Sequence, residues 1–266
     1  MNSLIQSLSV SDLGCHINGD IGCLTYADDI ILLSASVVHL QRMLDTCYSC
    51  GVELDIKFNA KKSALFVVGK AYDVSIDPLK IGNDQVSWHK SIKYLGVQFE
   101  SGRVLQTDND IVVRKFYAAA NAICSHVKFA SEISVLFLME TFCLPILSYS
   151  CEAVCYNKQQ LSQLNTCWNR AYRKIFKMND WESVKELQVL CGRLDFIHIY
   201  AQRKLIFMSK LVKLNNDVMN VCYKNFWQSD EGVRLQCEFD IAAGVSADDI
   251  KDIVFSKFYD TAISIK

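Results

Sequence analysis

Proline is nearly missing from this chain, with two in 266 residues, and no low-complexity stretch or internal repeat interrupts it. That excludes a proline-rich linker or a repeat array. No apolar run reaches the roughly 20 residues that a membrane-spanning helix needs. The best candidate, Val135 to Tyr156, is broken by Glu140, Pro145 and Glu152 and reads as buried helix. The first fifteen residues contain no Lys or Arg, so the positive start of a secretory signal is missing. These absences predict a soluble intracellular protein, nuclear or cytoplasmic. A strong net charge is also lacking: the formal total is −1.

What is present is an ordinary globular composition, 51% hydrophobic and 21% charged, on a chain long enough for one large domain or two smaller ones. The twelve cysteines lie scattered in apolar segments (Cys23, Cys124, Cys143, Cys151, Cys155, Cys167) and read as small hydrophobes rather than as a disulfide framework. Cys47 and Cys50 form a lone C-x-x-C without the second pair of a zinc ribbon. Charge is unevenly placed. Residues 160–213 hold 10 basic and 4 acidic side chains, between acidic ends, which is a possible phosphate footprint.

The pattern changes near Asp110. Before it, strands and helices mix. Asn2 to Leu8 reads as a short helix, and Gly22 to Tyr26 and Ile30 to Leu33 as strands around a turn. Ser36 should cap a helix carrying Val37, Leu40, Leu44 and Cys47, with Gly51 as its stop. Strands are expected at Glu53 to Phe58 and Ala64 to Val68, and a strand pair across Gln85 to Phe99 with Gly96 inside it. After it, helical spacing predicts Ile111 to Val127, Glu132 to Tyr156, Gln159 to Lys177 and Leu194 to Leu214, then weaker helices at Asp217 to Trp227 and Ala247 to Ser264. The fold class is α+β, a short antiparallel sheet with helices followed by an all-helical region.

Tyr26-Ala27-Asp28-Asp29 is the most informative tetrapeptide. Adjacent carboxylates at a turn tip repel and must be solvated, neutralised or metal-bound. Magnesium takes such oxygens and draws its remaining ligands from water and phosphates. Asp is also a common turn residue, so these four residues alone leave both readings open. A second feature is the segment Trp168 to Lys177. Arg170, Arg173, Lys174 and Lys177 fall on one helical face and Trp168, Tyr172, Ile175 and Phe176 on the other. That face is either a phosphate track or simply the solvated side of an amphipathic helix.

Five segments, in order, resemble the reverse transcriptases of non-LTR (LINE-type) retrotransposons over roughly residues 1–190. Tyr26-Ala27-Asp28-Asp29 followed by Ile30-Ile31-Leu32-Leu33 is similar to the Y-x-D-D hairpin of the polymerase palm. Met1-Asn2-Ser3-Leu4-Ile5 with Gly14-Cys15-His16-Ile17 resembles the palm helix and link before it. Phe58-Asn59-Ala60-Lys61-Lys62-Ser63 is similar to an N-x-x-K-[ST] segment, Lys93-Tyr94-Leu95-Gly96-Val97 to a Y-L-G hairpin, and Leu144 to Tyr149 with Glu152 to a thumb helix. The resemblance implies a partial palm over 1–105, a helical thumb over 106–190 and a carboxyl-terminal helical extension over 191–266. It further implies RNA-directed DNA polymerase chemistry on an RNA template and DNA primer. Asp28 and Asp29 would hold Mg²⁺, and Lys62 would sit near the leaving pyrophosphate. Tyr94, Leu95 and Gly96 would position the primer end. Arg170, Arg173, Lys174 and Lys177 would follow the duplex phosphates.

The family also uses a third carboxylate, from a strand well upstream of the hairpin. Only Asp12 and Asp20 precede Asp28 here, and both lie in the short link. The expectation is therefore an amino-terminally truncated piece, inactive on its own. The rival expectations are a non-catalytic nucleic-acid-binding module using the basic helix, and a helical protein in which Y-A-D-D is accidental.

Overall fold

The computed structural model describes residues 2–11, 13–16, 21–127, 129–214, 216–241 and 244–263. Met1, Asp12, Ile17, Asp20 and Ser264, named above, lie outside that set. The chain divides into two compact units, Met1–Gln106 with Asn216–Cys222, and Thr107–Asn215 with Tyr223–Lys266.

In the first unit, α1 (Asn2–Val10) and α2 (Val37–Glu53) pack together, and the hairpin of β1 (Cys23–Tyr26) and β2 (Asp29–Leu32) lies against α1. Leu4, Leu8, Met43 and Cys47 form one small core, with Cys23, Ile30 and Leu32 against it. The opposite edge of α2 supplies Leu44 to a second core with Ala60, Leu65, Leu79, Ile81 and Val86, which joins α2 to the hairpin of β3 (Leu79–Ile81) and β4 (Asp84–Val86). A third antiparallel hairpin pairs β5 (Ser91–Tyr94) with β6 (Val97–Glu100). Gln41 on α2 reads the main chain of β3 from both sides of its amide: Oε1 accepts from Lys80 N at 2.9 Å and Nε2 donates to Lys80 O at 2.9 Å.

Ser36 caps α2 as expected, accepting from His39 N. Gly51 does not stop the helix. α2 continues to Glu53 and ends in a Schellman turn, with Asp55 in the left-handed region (φ 55°), Ile56 N bonded to Gly51 O and Asp55 N to Val52 O. Gly51 is needed for close approach instead, since a Cβ there would sit 2.7 Å from Ile56 O. The expected strand at Glu53 to Phe58 is thereby lost, because its first residues complete the helix and its end. Ala64 to Val68 makes only one bridge, Leu65 to Trp88, and no ladder. An apolar run becomes a strand only where a neighbour offers its backbone along the whole length.

After the short β7 (Gln106–Thr107), the second unit is helical. α3 (Asp110–His126), α4 (Glu132–Phe142), α5 (Leu144–Ser148) and α6 (Lys158–Phe176) enclose a core of Phe116, Met139, Leu147, Leu164, Trp168 and Tyr172. The helix expected over Glu132 to Tyr156 breaks at Cys143-Leu144. Pro145 cannot donate a helical N–H, and the chain leaves helical geometry again at Tyr149. α6 begins at a capping box between Asn157 and Gln160. α7 (Lys185–Leu190) leads to α8 (Phe196–Leu211), whose first turn is capped by the buried Asp195. α9 (Asp217–Gln228), α10 (Asp230–Phe239) and α11 (Ala247–Ile263) complete the chain, and α11 packs on α8. No helix of the described residues is long and apolar enough to cross a membrane.

α3 and α6 run parallel, held by a polar ladder of constant offset. Gln160 Nε2 donates to Thr107 O at 2.6 Å, and Gln163 Nε2 to Asp110 Oδ1 at 3.4 Å. Arg170 Nη1 reaches Tyr117 Oη at 3.5 Å, and Lys174 Nζ reaches Asn121 Oδ1 at 2.6 Å. Each rung joins residues 53 apart, so both helices advance together.

Candidate nucleic-acid site and paired carboxylates

Strands β1 and β2 form a ladder from Cys23↔Leu32 to Tyr26↔Asp29, so only Ala27 and Asp28 span the turn. A two-residue hairpin turn needs positive φ, and Ala27 adopts 54°. The left-handed region costs an L-residue roughly 1–2 kcal/mol, so this turn holds local strain beside two carboxylates. Asp28 and Asp29 are both exposed, and among the described residues neither is engaged by a cation.

The β5–β6 hairpin repeats the plan. Tyr94↔Val97 is its last pair, and Leu95 (φ 44°) with Gly96 (φ 83°) makes a turn positive at both centres. Gly accepts that geometry at no cost and Leu does not. This hairpin comes near the carboxylates. Burial first, then the Asp29 carboxylate and the Tyr26 phenol, push the Tyr94 hydroxyl above its ordinary pKa. Two hairpins far apart in sequence thus share one electrostatic neighbourhood.

Asn59 organises the lysine segment. Its Oδ1 accepts from Lys61 N at 3.1 Å and Lys62 N at 3.3 Å, while its carbonyl accepts from the Ser63 hydroxyl at 3.0 Å. The turn leaves the Lys62 side chain exposed. No hydrogen bond or ion pair among the described residues joins Lys62 to Asp28 or Asp29.

On α6, Trp168, Tyr172 and Ile175 are buried, as the spacing predicts, and Phe176 packs against the same core. Arg170, Lys174 and Lys177 are exposed. Arg173 is different: its Nε and Nη2 both donate to the Glu182 carbonyl, at 3.0 and 2.9 Å. Nothing in the helical spacing announces that acceptor, which lies beyond the end of the helix.

Sequence reasoning missed a buried polar cluster on α8. Lys204 is 1% exposed, with Nζ 3.0 Å from Val154 O, 3.8 Å from Glu231 Oε2 and 3.7 Å from Cys155 Sγ. Tyr200 donates to Glu231 Oε1 in the same place. Its only sequence signal is a lysine at an apolar position of α8.

Asp28 and Asp29 offer oxygen donors suited to a hard divalent cation. Among the described residues, no group of three or more His, Cys, Asp or Glu side chains assembles that could hold a metal ion. The two carboxylates alone are therefore the protein donors on offer at this turn, and any divalent cation there would take its other ligands from water or phosphate oxygens.

No curated protein matches this chain. Residues 1–99, which carry α1, the paired carboxylates and the Tyr94 hairpin, match the family model described as reverse transcriptase (RNA-dependent DNA polymerase).

Proposed function

We propose that this chain is part of a non-LTR retrotransposon reverse transcriptase, with residues 1–105 as part of the palm, 106–190 as the thumb and 191–266 as a helical extension. The observation that carries the reading is a pair of hairpins with positive-φ turns, one bearing Asp28 and Asp29 and the other Tyr94, with the Asp29 carboxylate in electrostatic reach of the Tyr94 hydroxyl. The family match over residues 1–99 supports it.

Asp28 and Asp29 hold the magnesium side of the site, and Tyr94 with Gly96 sets the primer end against it. Held by Asp28 and Asp29, magnesium would supply Lewis-acid activation of the attacking 3′ hydroxyl and charge stabilisation for the departing oxygen. The exposed ammonium of Lys62 neutralises charge on the leaving pyrophosphate. Ahead of Asp28 the sequence offers only Asp12 and Asp20 as further carboxylates. Misplacing reacting groups by about 1 Å already costs about a hundredfold, so the chain alone is expected to be inactive.

Two measurements test this. Terbium(III) should give tyrosine-sensitised emission, through Tyr26 and Tyr94, that Asp28→Asn/Asp29→Asn abolishes. Wild-type emission indistinguishable from that variant's would refute a cation site at the pair. Primer extension on an RNA template with magnesium should fail for both proteins. Extension by wild type alone would overturn the claim of an incomplete site.

A second reading is supported by exposed cations on α6: the chain binds nucleic acid without catalysis, through Arg170, Lys174 and Lys177, with Arg173 shaping the adjoining loop. Neutralising Arg170, Lys174 and Lys177 should then weaken duplex binding. Its salt dependence should flatten by about one unit of slope for each phosphate that no longer meets a cation. Unchanged binding would remove this reading.

A further inference from the structure

The loop after α6 carries an exposed tryptophan on a built support. Trp181 is 82% exposed. A single apolar side chain at the surface means little by itself. Here, however, the backbone on both sides of it is fixed. Lys177 turns the chain at φ 54°, and Met178 N bonds back to Arg173 O at 2.9 Å. Asn179 N donates to Glu182 Oε2 at 2.6 Å, and Glu182 N returns to Asn179 O at 3.2 Å. The Arg173 guanidinium then clamps the Glu182 carbonyl with two hydrogen bonds. Val184, at the far side, is buried. The loop is thus tied down around Trp181 while its indole stays in water.

The surroundings are cationic. Arg170, Lys174 and Lys177 are exposed on the helix that feeds the loop. Asp180 is the opposing charge, and it lies within electrostatic reach of Arg170, whose charged form is favoured mainly by the Tyr117 hydroxyl. Glu182 is the other carboxylate, spent on Asn179 N. An exposed aromatic ring on a fixed loop, fed by a helix whose exposed face carries cations, has the two components that bind a single strand, a ring for bases and cations for phosphates. An uncharged or basic partner would leave those cations without a counter-charge.

We infer that Trp181 is a stacking platform for an unpaired base of single-stranded nucleic acid, and that Arg173 is a positioning residue that holds the platform in place. This rests on α6 facing nucleic acid but not on the paired carboxylates or on polymerase chemistry.

The test uses the full chain in chelator, so that neither magnesium nor Asp28 and Asp29 contribute. Binding of labelled oligoadenylate RNA, oligodeoxyadenylate and an abasic strand of equal length is followed by fluorescence anisotropy. Trp181→Ala should weaken binding of the base-bearing strands by roughly tenfold and leave the abasic strand unchanged, while Trp181→Phe keeps most of the affinity. Arg173→Gln should behave like Trp181→Ala and leave the salt slope alone, whereas Lys177→Gln lowers that slope by about one. Near-ultraviolet circular dichroism from the buried Trp168 checks the fold of each variant. Equal losses on abasic and base-bearing strands, no loss with Trp181→Ala, or no wild-type binding would each overturn the platform. An effect seen only with RNA, or only with DNA, would support it and name the strand.

Discussion

Gly232, in the first turn of α10, occupies a place that a larger residue cannot share. A Cβ there would stand 2.0 Å from the Phe226 carbonyl oxygen, while its N–H bonds the Ser229 cap at 3.1 Å. Gly232→Ala must push the helix start away from Phe226, with an expected loss of about 1–3 kcal/mol. Val233→Ala, at the exposed neighbour, should stay within about 0.5 kcal/mol. Urea denaturation of both variants checks the contrast, and equal midpoints would refute it. Local chemistry made the turns at Asp28-Asp29 and after Tyr94 readable from sequence, since each is a short turn motif between strand-like runs. Arg173 and Lys204 were not readable, because what they touch is set by the fold. Arg173 looks like a member of a basic ridge until the loop brings the Glu182 carbonyl to it. Lys204 follows Arg203 in sequence yet is buried, with partners on the Val154 turn and on α10.

At the scale of elements, Gln41 stands in for a missing neighbour of β3. A strand edge left bare invites pairing with another chain, and one side-chain amide here satisfies both main-chain groups of Lys80. Gln41→Ala should destabilise by about 1–3 kcal/mol and speed hydrogen exchange at the Lys80 amide. Unchanged exchange there would mean that the two bonds do not hold the edge. Helix positions were legible wherever apolar spacing ran unbroken, as in α3, α6 and α8. Helix ends were less so. Gly51 resembles a stop signal, but the chain spends it on contact with Ile56 and stops at Asp55 instead. Pro145 lies inside an apolar run whose composition argues for continuity, and its missing N–H outweighs that composition. The segments at Glu53 to Phe58 and Ala64 to Val68 have strand-like composition, and only tertiary pairing could decide against them.

For the molecule as a whole, alkaline pH should be the weak side. Burial pushes the Tyr156 hydroxyl up to about 12 and raises Tyr172 and Tyr200 further; next to Tyr200, the Glu231 carboxylate adds to the effect. An unfolded phenol ionises near 10. Above that pH the unfolded chain gives up protons that the folded one keeps, so stability falls as pH rises from about 10 toward 12. Cys47 and Cys151, raised by burial to about 12, and Cys143, to about 11, act in the same direction. Tyrosinate absorbance should therefore appear together with loss of helical circular dichroism. Tyrosinate from these buried phenols forming well before any loss of structure would contradict this.

The ladder between α3 and α6 has a consequence for how the sequence can change length. Its rungs depend on a fixed difference of 53 residue numbers, but α3, with Thr107 just ahead of it, and α6 each supply their rungs as a set. One residue gained or lost in the turn around Ser150 changes that number and leaves every rung able to form. The same insertion inside α6, between Gln163 and Arg170, turns everything after it by about 100°. It would carry Arg170 and Lys174 off their partners and swing Trp168 or Tyr172 toward water. Natural length variation in relatives of this chain should therefore gather between the helices, in the 149–157 stretch, and spare the two helices themselves.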